Sequence, residues 1–262
     1  VNVNLFDAKK LYRSWTGGGH KIHATDDIEE TRIQLMLLLK KQYDNYLIIN
    51  ETFSVEKEYN ENLIGCKGWK SLEEVFDVLN MTINYVILRN FENIQDEMDS
   101  LHPDIDVLTD NKDNAISILN AQKTFQKKYR VQYKVLIDNK NINFDLRFTG
   151  DNYYDINWQN NILSTRIKED FYYRPTDVNY FYSLLYHALL HKPKFGFDYE
   201  RRLLELNDKC SLVSSRKYFS VLDIFNELEG FMSTYKYCMT YPNDFSVYWN
   251  YEIYSKVNSS WS

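Results

Sequence analysis

The 262-residue sequence predicts a mixed α+β fold followed by a helical C-terminal part. Short β-branched and aliphatic runs alternate with amphipathic stretches up to about residue 160, and the pattern beyond it is helical. Hydrophobic residues make up 44%, while only 8 Gly and 4 Pro are present, so the chain suits packed elements better than long linkers. Three parts follow: an α/β segment over 1–78, a core with strands over 79–165, and a mainly helical part over 166–262.

The elements run in this order. Residues 1–20 are polar and end in the glycine cluster "SWTGGGH", which reads as a loop. "KIHATDD" reads as a short strand ending in a helix cap. "DDIEETRIQLMLLLKKQYD" is an amphipathic helix with carboxylates in its first turn and Lys40 and Lys41 near its end. "NYLIINETF" reads as a strand. "SLEEVFDVLNM" is a helix capped by Ser71, with Glu74 closing a capping box. Residues 84–91, "NYVILRNF", predict a strand, and 104–109 predict another that leads into a helix over about 112–127. "VQYKVLID" and "NINFDLRF" form a hairpin through "DNKN", residues 138–141. "TDVNYFYSLLYHALLHK" is a helix capped by Thr176 or Asp177 and stopped by Pro193, and two further helical stretches follow.

One stretch does not fit a purely structural reading. In "PDIDVLTD", Asp104 and Asp106 stand two apart within a buried-type strand. Alternation puts both carboxylates on one face, roughly 7 Å apart. Two such groups repel and are costly to desolvate, and a divalent cation is the usual counterweight. A third carboxylate, Asp145, lies between Phe144 and Leu146 in "NFDLRF", on the second arm of the expected hairpin. The order strand with D-x-D, helix, strand, turn, strand with a lone Asp can bring all three together.

These residues resemble the nucleotidyltransferase superfold, and "NYVILRNFENIQ" with "PDIDVLTDNKDNA" is similar to uncharacterised bacterial and viral nucleotidyltransferase-like proteins over about residues 80–160. The resemblance implies a nucleotidyltransferase-like mixed sheet with flanking helices. It also implies that Asp104 and Asp106 hold Mg²⁺ (or Mn²⁺) against a triphosphate, and that Asp145 ligates one metal and helps deprotonate the attacking hydroxyl. Two such ions about 3.5–4 Å apart neutralise the entering and leaving oxygens of an in-line displacement. Hard Mg²⁺ favours carboxylate oxygen over His or Cys. Most members carry Gly-Ser ahead of the D-x-D strand, whereas "LRNFENIQDEMDSLH" has no Gly. Arg89 and Asn90 are the candidate phosphate donors there.

Further candidates have a functional and an ordinary reading each. Arg147, on the face of Asp145, is a phosphate clamp or an ion-pair partner. Lys192 and Lys194 either reach a triphosphate or answer a helix dipole. His187 and His191, four apart, permit zinc ligation but read better as ordinary surface or cap histidines. Tyr153 and Tyr154, in an expected loop, could stack on a base or belong to the core. A second echo is similar to nucleoside diphosphate kinases: "HATDDIEETRIQLML" would put His23 at the phosphorylated position with Asp26 and Glu29 beside it. A capped helix preceded by His explains the same letters.

The net charge of -6 gives no general attraction to polyanions, so a long nucleic acid is disfavoured as acceptor, although a local basic groove stays open. The expected partners are an NTP and a small-molecule, glycan or protein acceptor. No run of 18 apolar residues exists, and "VNVNLFDAKK" lacks a signal-peptide layout and an initiator Met. A processed chain or excised domain is expected. Cys66, Cys210 and Cys238 form no metal-type pair and read as structural thiols of a reducing, cytoplasmic compartment. Two alternatives to nucleotidyl transfer remain: a D-x-D glycosyltransferase, which leaves Asp145 unassigned, and a degenerate, non-catalytic module.

Overall fold

A computed structural model describes residues 3–19, 21–39, 62–92, 94, 103–210 and 221–258. The strand expected at 45–53 and the end of the first amphipathic helix lie outside the described residues. The chain divides into two compact units, Val1–Lys67 and Gly68–Ser262.

The first unit contains α1 (Val3–Trp15) and α2 (Ile28–Leu39). The expected N-terminal loop is therefore a helix. The glycine cluster is its stop: Gly17, Gly18 and Gly19 all have positive φ, and Gly18 N–H returns to Arg13 O at 2.7 Å. The expected strand in "KIHATDD" is not formed. Lys9 leaves α1 to bind Asp26 at 2.6 Å and the Ala24 carbonyl at 3.0 Å. α2 begins with Glu29 and Glu30 and buries Ile33, Met36 and Leu39.

The second unit is built on a five-stranded mixed sheet. Its elements are α3 (Leu72–Thr82), β1 (Tyr85–Ile87), β2 (Asp104–Thr109), α4 (Lys112–Leu119), β3 (Gln122–Lys123), β4 (Gln132–Ile137) and β5 (Lys140–Phe148). Strand order is β1-β2-β5-β4-β3. β2 and β5 run parallel at the centre, and the other neighbours are antiparallel. Ser71 Oγ accepts from Glu74 N–H, while the Glu74 carboxylate accepts from Lys70 N–H, a close variant of the expected capping box. β4 and β5 meet through Asp138 and Asn139, both at positive φ, the conformation a two-residue hairpin needs.

Two expected elements are shorter than their patterns suggested. β1 ends at Ile87 and the chain turns at Asn90, which has φ 62°. The helix after β2 stops at Leu119 because Asn120 takes the left-handed conformation (φ 50°) and caps it. The apolar positions after it no longer recur at helical spacing, and Gln122–Lys123 pairs with β4 instead.

Gly68 and Trp69 complete the outer side of β4 beyond β3. Trp69 N–H donates to Leu136 O at 2.8 Å, and Asp138 N–H donates to Trp69 O at 2.9 Å. Gly68 has φ 99°, and a Cβ there would meet Leu136 Cδ2 at 2.9 Å, so this close approach requires glycine.

After β5 come α5 (Ile156–Ser164), the small hairpin β6 (Ile167–Glu169) and β7 (Tyr172–Arg174), then α6 (Asp177–Leu190), α7 (Phe197–Cys210), α8 (Val221–Tyr235) and α9 (Tyr251–Asn258). α5 packs on β1 and β2, and α7, α8 and α9 each pack on α6. Thr176 caps α6 by accepting from Asn179 N–H, as expected. α6 is buried almost all round, from Asn179 to Leu190, so it forms the axis of the helical part. The Trp158 indole N–H to Asn179 Oδ1 (3.0 Å) and the Tyr154 hydroxyl to Ser183 O (3.2 Å) join α5 and its cap to α6. Among the described residues no helix is long and apolar enough to cross a membrane.

Candidate metal centre

Parallel pairing of β2 with β5 is what assembles the site. The register sets Asp106 opposite Asp145 and Asp104 opposite Asn143, so all three aspartates share one face of the sheet. A carboxylate oxygen from each of Asp104, Asp106 and Asp145 lies within 4.8 Å of the other two. The opposite faces of the same strands carry Ile105, Val107, Phe144 and Leu146, all buried, which fixes the register because a one-residue slip would bury the wrong set.

The cluster lies mostly out of water. Asp106 is buried, and Asp104 and Asp145 are half-buried. Burial, and then the neighbouring Asp106 charge, push the Asp145 carboxyl above the ordinary carboxylate range, with Arg147 and Arg89 opposing. Asp145 Oδ1 is a buried oxygen with no hydrogen-bond partner among the described residues.

Two arginines pair with the cluster. Arg89 Nη2 meets Asp106 Oδ1 at 2.5 Å. Arg147 Nη2 meets Asp145 Oδ2 at 3.4 Å, and its Nη1 reaches Asp244 Oδ2 at the same distance. Both guanidinium groups lie over the Tyr153 ring, 5.9 Å (Arg89) and 4.2 Å (Arg147) from its centre. Arg89 Nη1 also donates to the Tyr153 hydroxyl at 3.1 Å, and that oxygen is 2.8 Å from His187 Nδ1. Burial, and then the charge of Arg89, hold His187 well below the usual imidazole range. The neutral ring and the Tyr153 hydroxyl share one buried hydrogen bond. The chain Asp106–Arg89–Tyr153–His187 thus links the sheet to α6.

The expected site residues separate into those brought together and those held elsewhere. Asp104, Asp106 and Asp145 converge, with Arg89 and Arg147 against them. Asn90 does not join them: its side-chain carbonyl accepts from Arg202 Nη1 of α7 at 3.1 Å. Lys192 follows the His191 cap of α6, is half-buried, and forms no ion pair among the described residues. Tyr153 and Tyr154 are both 1% exposed, so they are core residues and offer no face for stacking on a base. His187 and His191 are buried inside the helical part and are not surface residues, while Cys66 and Cys238 are exposed. His23, in the first unit, is exposed and contacts Gln34 (2.9 Å) and Glu30 (3.5 Å). Asp26 and Glu29, which the kinase resemblance set beside it, bind Lys9 and Arg32 instead.

Two contributors, Asp244 and Asp151, carried no usable sequence signal. Asp244 reaches Arg147 from almost 100 residues downstream. Tyr153 is oriented by Asp151, which accepts from Tyr153 N–H at 2.9 Å and from Gln159 Nε2 at 2.7 Å. A cavity of about 340 Å³ lies among Phe91, Tyr172, Arg174, Tyr180 and Arg202, and none of the three aspartates lines it.

Compared with protein-family models, curated proteins and solved structures, the chain has no significant match.

Proposed function

We propose that the chain is a nucleotidyltransferase-type enzyme that uses Mg²⁺ or Mn²⁺, held by Asp104, Asp106 and Asp145, to transfer a nucleotidyl group from an NTP to a hydroxyl or phosphate acceptor. The observation that carries the reading is the convergence of three carboxylates within 4.8 Å on neighbouring parallel strands. The donor set fits the ion: three hard oxygens, no sulfur or imidazole, and a buried Asp145 Oδ1 without a partner among the described residues. Bound there, the cation supplies electrostatic stabilisation of charge developing on the reacting phosphate. The chain's own residues do the rest. Asp145, on the strand beside the D-x-D pair, would hold the ion and help to take a proton from the attacking hydroxyl. Arg89 and Arg147 are cations within reach of the same carboxylates, placed to answer phosphate charge.

Asp145 favours this reading over a D-x-D glycosyltransferase, which accounts for Asp104 and Asp106 but leaves Asp145 unassigned. A non-catalytic module is supported by a different observation: Arg89 and Arg147 already pair with two of the three aspartates. Calorimetric titration of Mn²⁺ and each NTP, with pyrophosphate release measured in parallel, separates the readings. Nucleotidyl transfer predicts divalent-dependent NTP binding that Asp104→Asn and Asp106→Asn both abolish. Binding that survives both substitutions removes the site; binding without pyrophosphate release under any acceptor leaves the non-catalytic module.

A further inference from the structure

From residue 114 to residue 137 the chain carries Lys123, Lys127, Lys128, Arg130 and Lys134 and not one carboxylate, although the protein as a whole has a net charge of -6. None of these five cations forms an ion pair among the described residues, whereas Arg89, Arg147, Arg174 and Arg202 all do. Four of the five lie on β3, on the connection to β4, or at its end. That connection is exposed from Phe125 to Tyr129 and folds tightly, with Arg130 N–H returning to Lys127 O.

Aromatic rings are interleaved with the charges. The Arg130 guanidinium lies 4.0 Å from the ring centre of Phe125. Tyr129 packs on Phe245, from the segment between α8 and α9, with ring centres 5.3 Å apart. Phe245 leads on to Tyr241 at 6.4 Å, and Tyr241 to Tyr251 at 6.3 Å. Phe245 is 68% exposed and Tyr251 63%, so this run of rings forms an exposed aromatic patch beside the cations. The one carboxylate between 239 and 251, Asp244, is buried against Arg147 and Ser246, so it adds little negative charge to this surface.

We propose that this surface, formed by the β3–β4 connection and residues 241–251, binds single-stranded nucleic acid. Exposed rings stack on unpaired bases whatever their sequence, and unpaired Lys and Arg between them meet the phosphates. A duplex hides the base faces that the rings need, and an acidic peptide would use the charges but leave the rings idle. The surface also adjoins the carboxylate cluster: Leu146 N–H donates to Val131 O at 2.9 Å, and Gln132 pairs with Asp145. A strand lying on it is led toward Asp145. Binding itself is independent of the metal reading, and so is its test.

Fluorescence anisotropy of end-labelled oligothymidine and oligouridine, about 10 nucleotides long, with the full chain in EDTA reads the binding directly. With three phosphates neutralised, affinity should fall about 20-fold between about 50 and 200 mM salt. Lys127→Glu with Lys128→Glu should flatten that salt dependence. Tyr129→Ala with Phe245→Ala should weaken binding at least tenfold while leaving the salt slope intact. All four side chains are exposed, and an unchanged circular-dichroism melt confirms the fold of each variant. No binding at about 50 mM salt, equal binding of a duplex, unchanged affinity in the aromatic variant, or adsorption to phosphatidylserine vesicles in place of the oligonucleotide would each overturn the proposal.

Discussion

Arg89 grips Asp106 through a 2.5 Å ion pair in which both side chains are nearly shut off from solvent. Removing one member of such a pair strands the other charge, which typically costs about 3–5 kcal/mol. Arg89→Ala should therefore destabilise the protein by about that amount when no divalent cation is present. A cation at the aspartates replaces the lost positive charge, so Mg²⁺ or Mn²⁺ should raise the melting temperature of this variant more than that of the parent protein. Equal shifts in both would mean that the cation does not reach Asp106.

Asp145 gives a prediction of opposite sign. Its carboxyl is held above the ordinary range, so the native state keeps a proton that the unfolded chain has already released. Stability contributed by this group is full at pH below the ordinary carboxylate value and falls as pH rises through the window up to the raised one. At neutral pH without divalent cations, Asp145→Asn should melt higher, by about 2–4 °C for each 1 kcal/mol recovered in a domain of this size. The same variant should lose the stabilisation by Mn²⁺. Calorimetry with and without EDTA tests both halves.

Tyr153→Phe removes a single oxygen that serves two buried partners, Arg89 Nη1 and His187 Nδ1. Each partner left unsatisfied costs about 1–3 kcal/mol, so a loss of about 2–6 kcal/mol is expected with little change in packing. Chemical denaturation at constant m-value checks it. The tyrosine itself, pushed up to about 12 chiefly by burial, stays protonated throughout the accessible pH range.

His191 is buried among Tyr153, Tyr186 and Trp249, at 4.4, 5.2 and 6.0 Å between ring centres. Neither ring nitrogen has a hydrogen-bond partner among the described residues. Burial, and then the charge of Arg147, hold its pKa well below the usual imidazole range, as burial and then Arg89 do for His187. The unfolded chain thus takes up protons that the native state refuses. Stability is full above about pH 6.5 and is lost on acidification, by up to about 1.4 kcal/mol per pH unit for each histidine. His191→Phe should be neutral to stabilising at pH 7 and should lessen the acid slope by one proton. Melts between pH 7 and pH 5 would contradict this if the slope were unchanged.

The sheet and its acidic cluster were legible because each rests on local rules. Period-two alternation placed Asp104 and Asp106 on one face, and the turn residues at 138–141 set the hairpin register that carries Asp145. The N-terminal helix was hidden because its apolar residues do not mark a buried face: Leu5, Phe6, Leu11 and Trp15 are all exposed. The buried polar chain behind the site was illegible for another reason. Tyr153, His187 and Asp244 come from segments 34 or more residues apart, and only tertiary packing decides that they reach the arginines. The "GDNYYD" stretch carries turn-type residues, which suggested an exposed loop. Asp151 and Asp155 instead tie it inward, and Asp155 caps α5 through Asn157 and Trp158 N–H.

The two-residue patch of Gly68 and Trp69 on β4 has a practical meaning for anyone cutting the polypeptide. Its backbone engages Leu136 O and Asp138 N–H, and the Trp69 indole donates to Leu119 O at 3.1 Å. A truncated fragment beginning at the first residue of α3 would leave those strand groups bare, a ready template for another molecule to add on and start aggregation. A recombinant fragment of the second unit should therefore start upstream of Gly68, because that short stretch is the sheet's own guard against self-association.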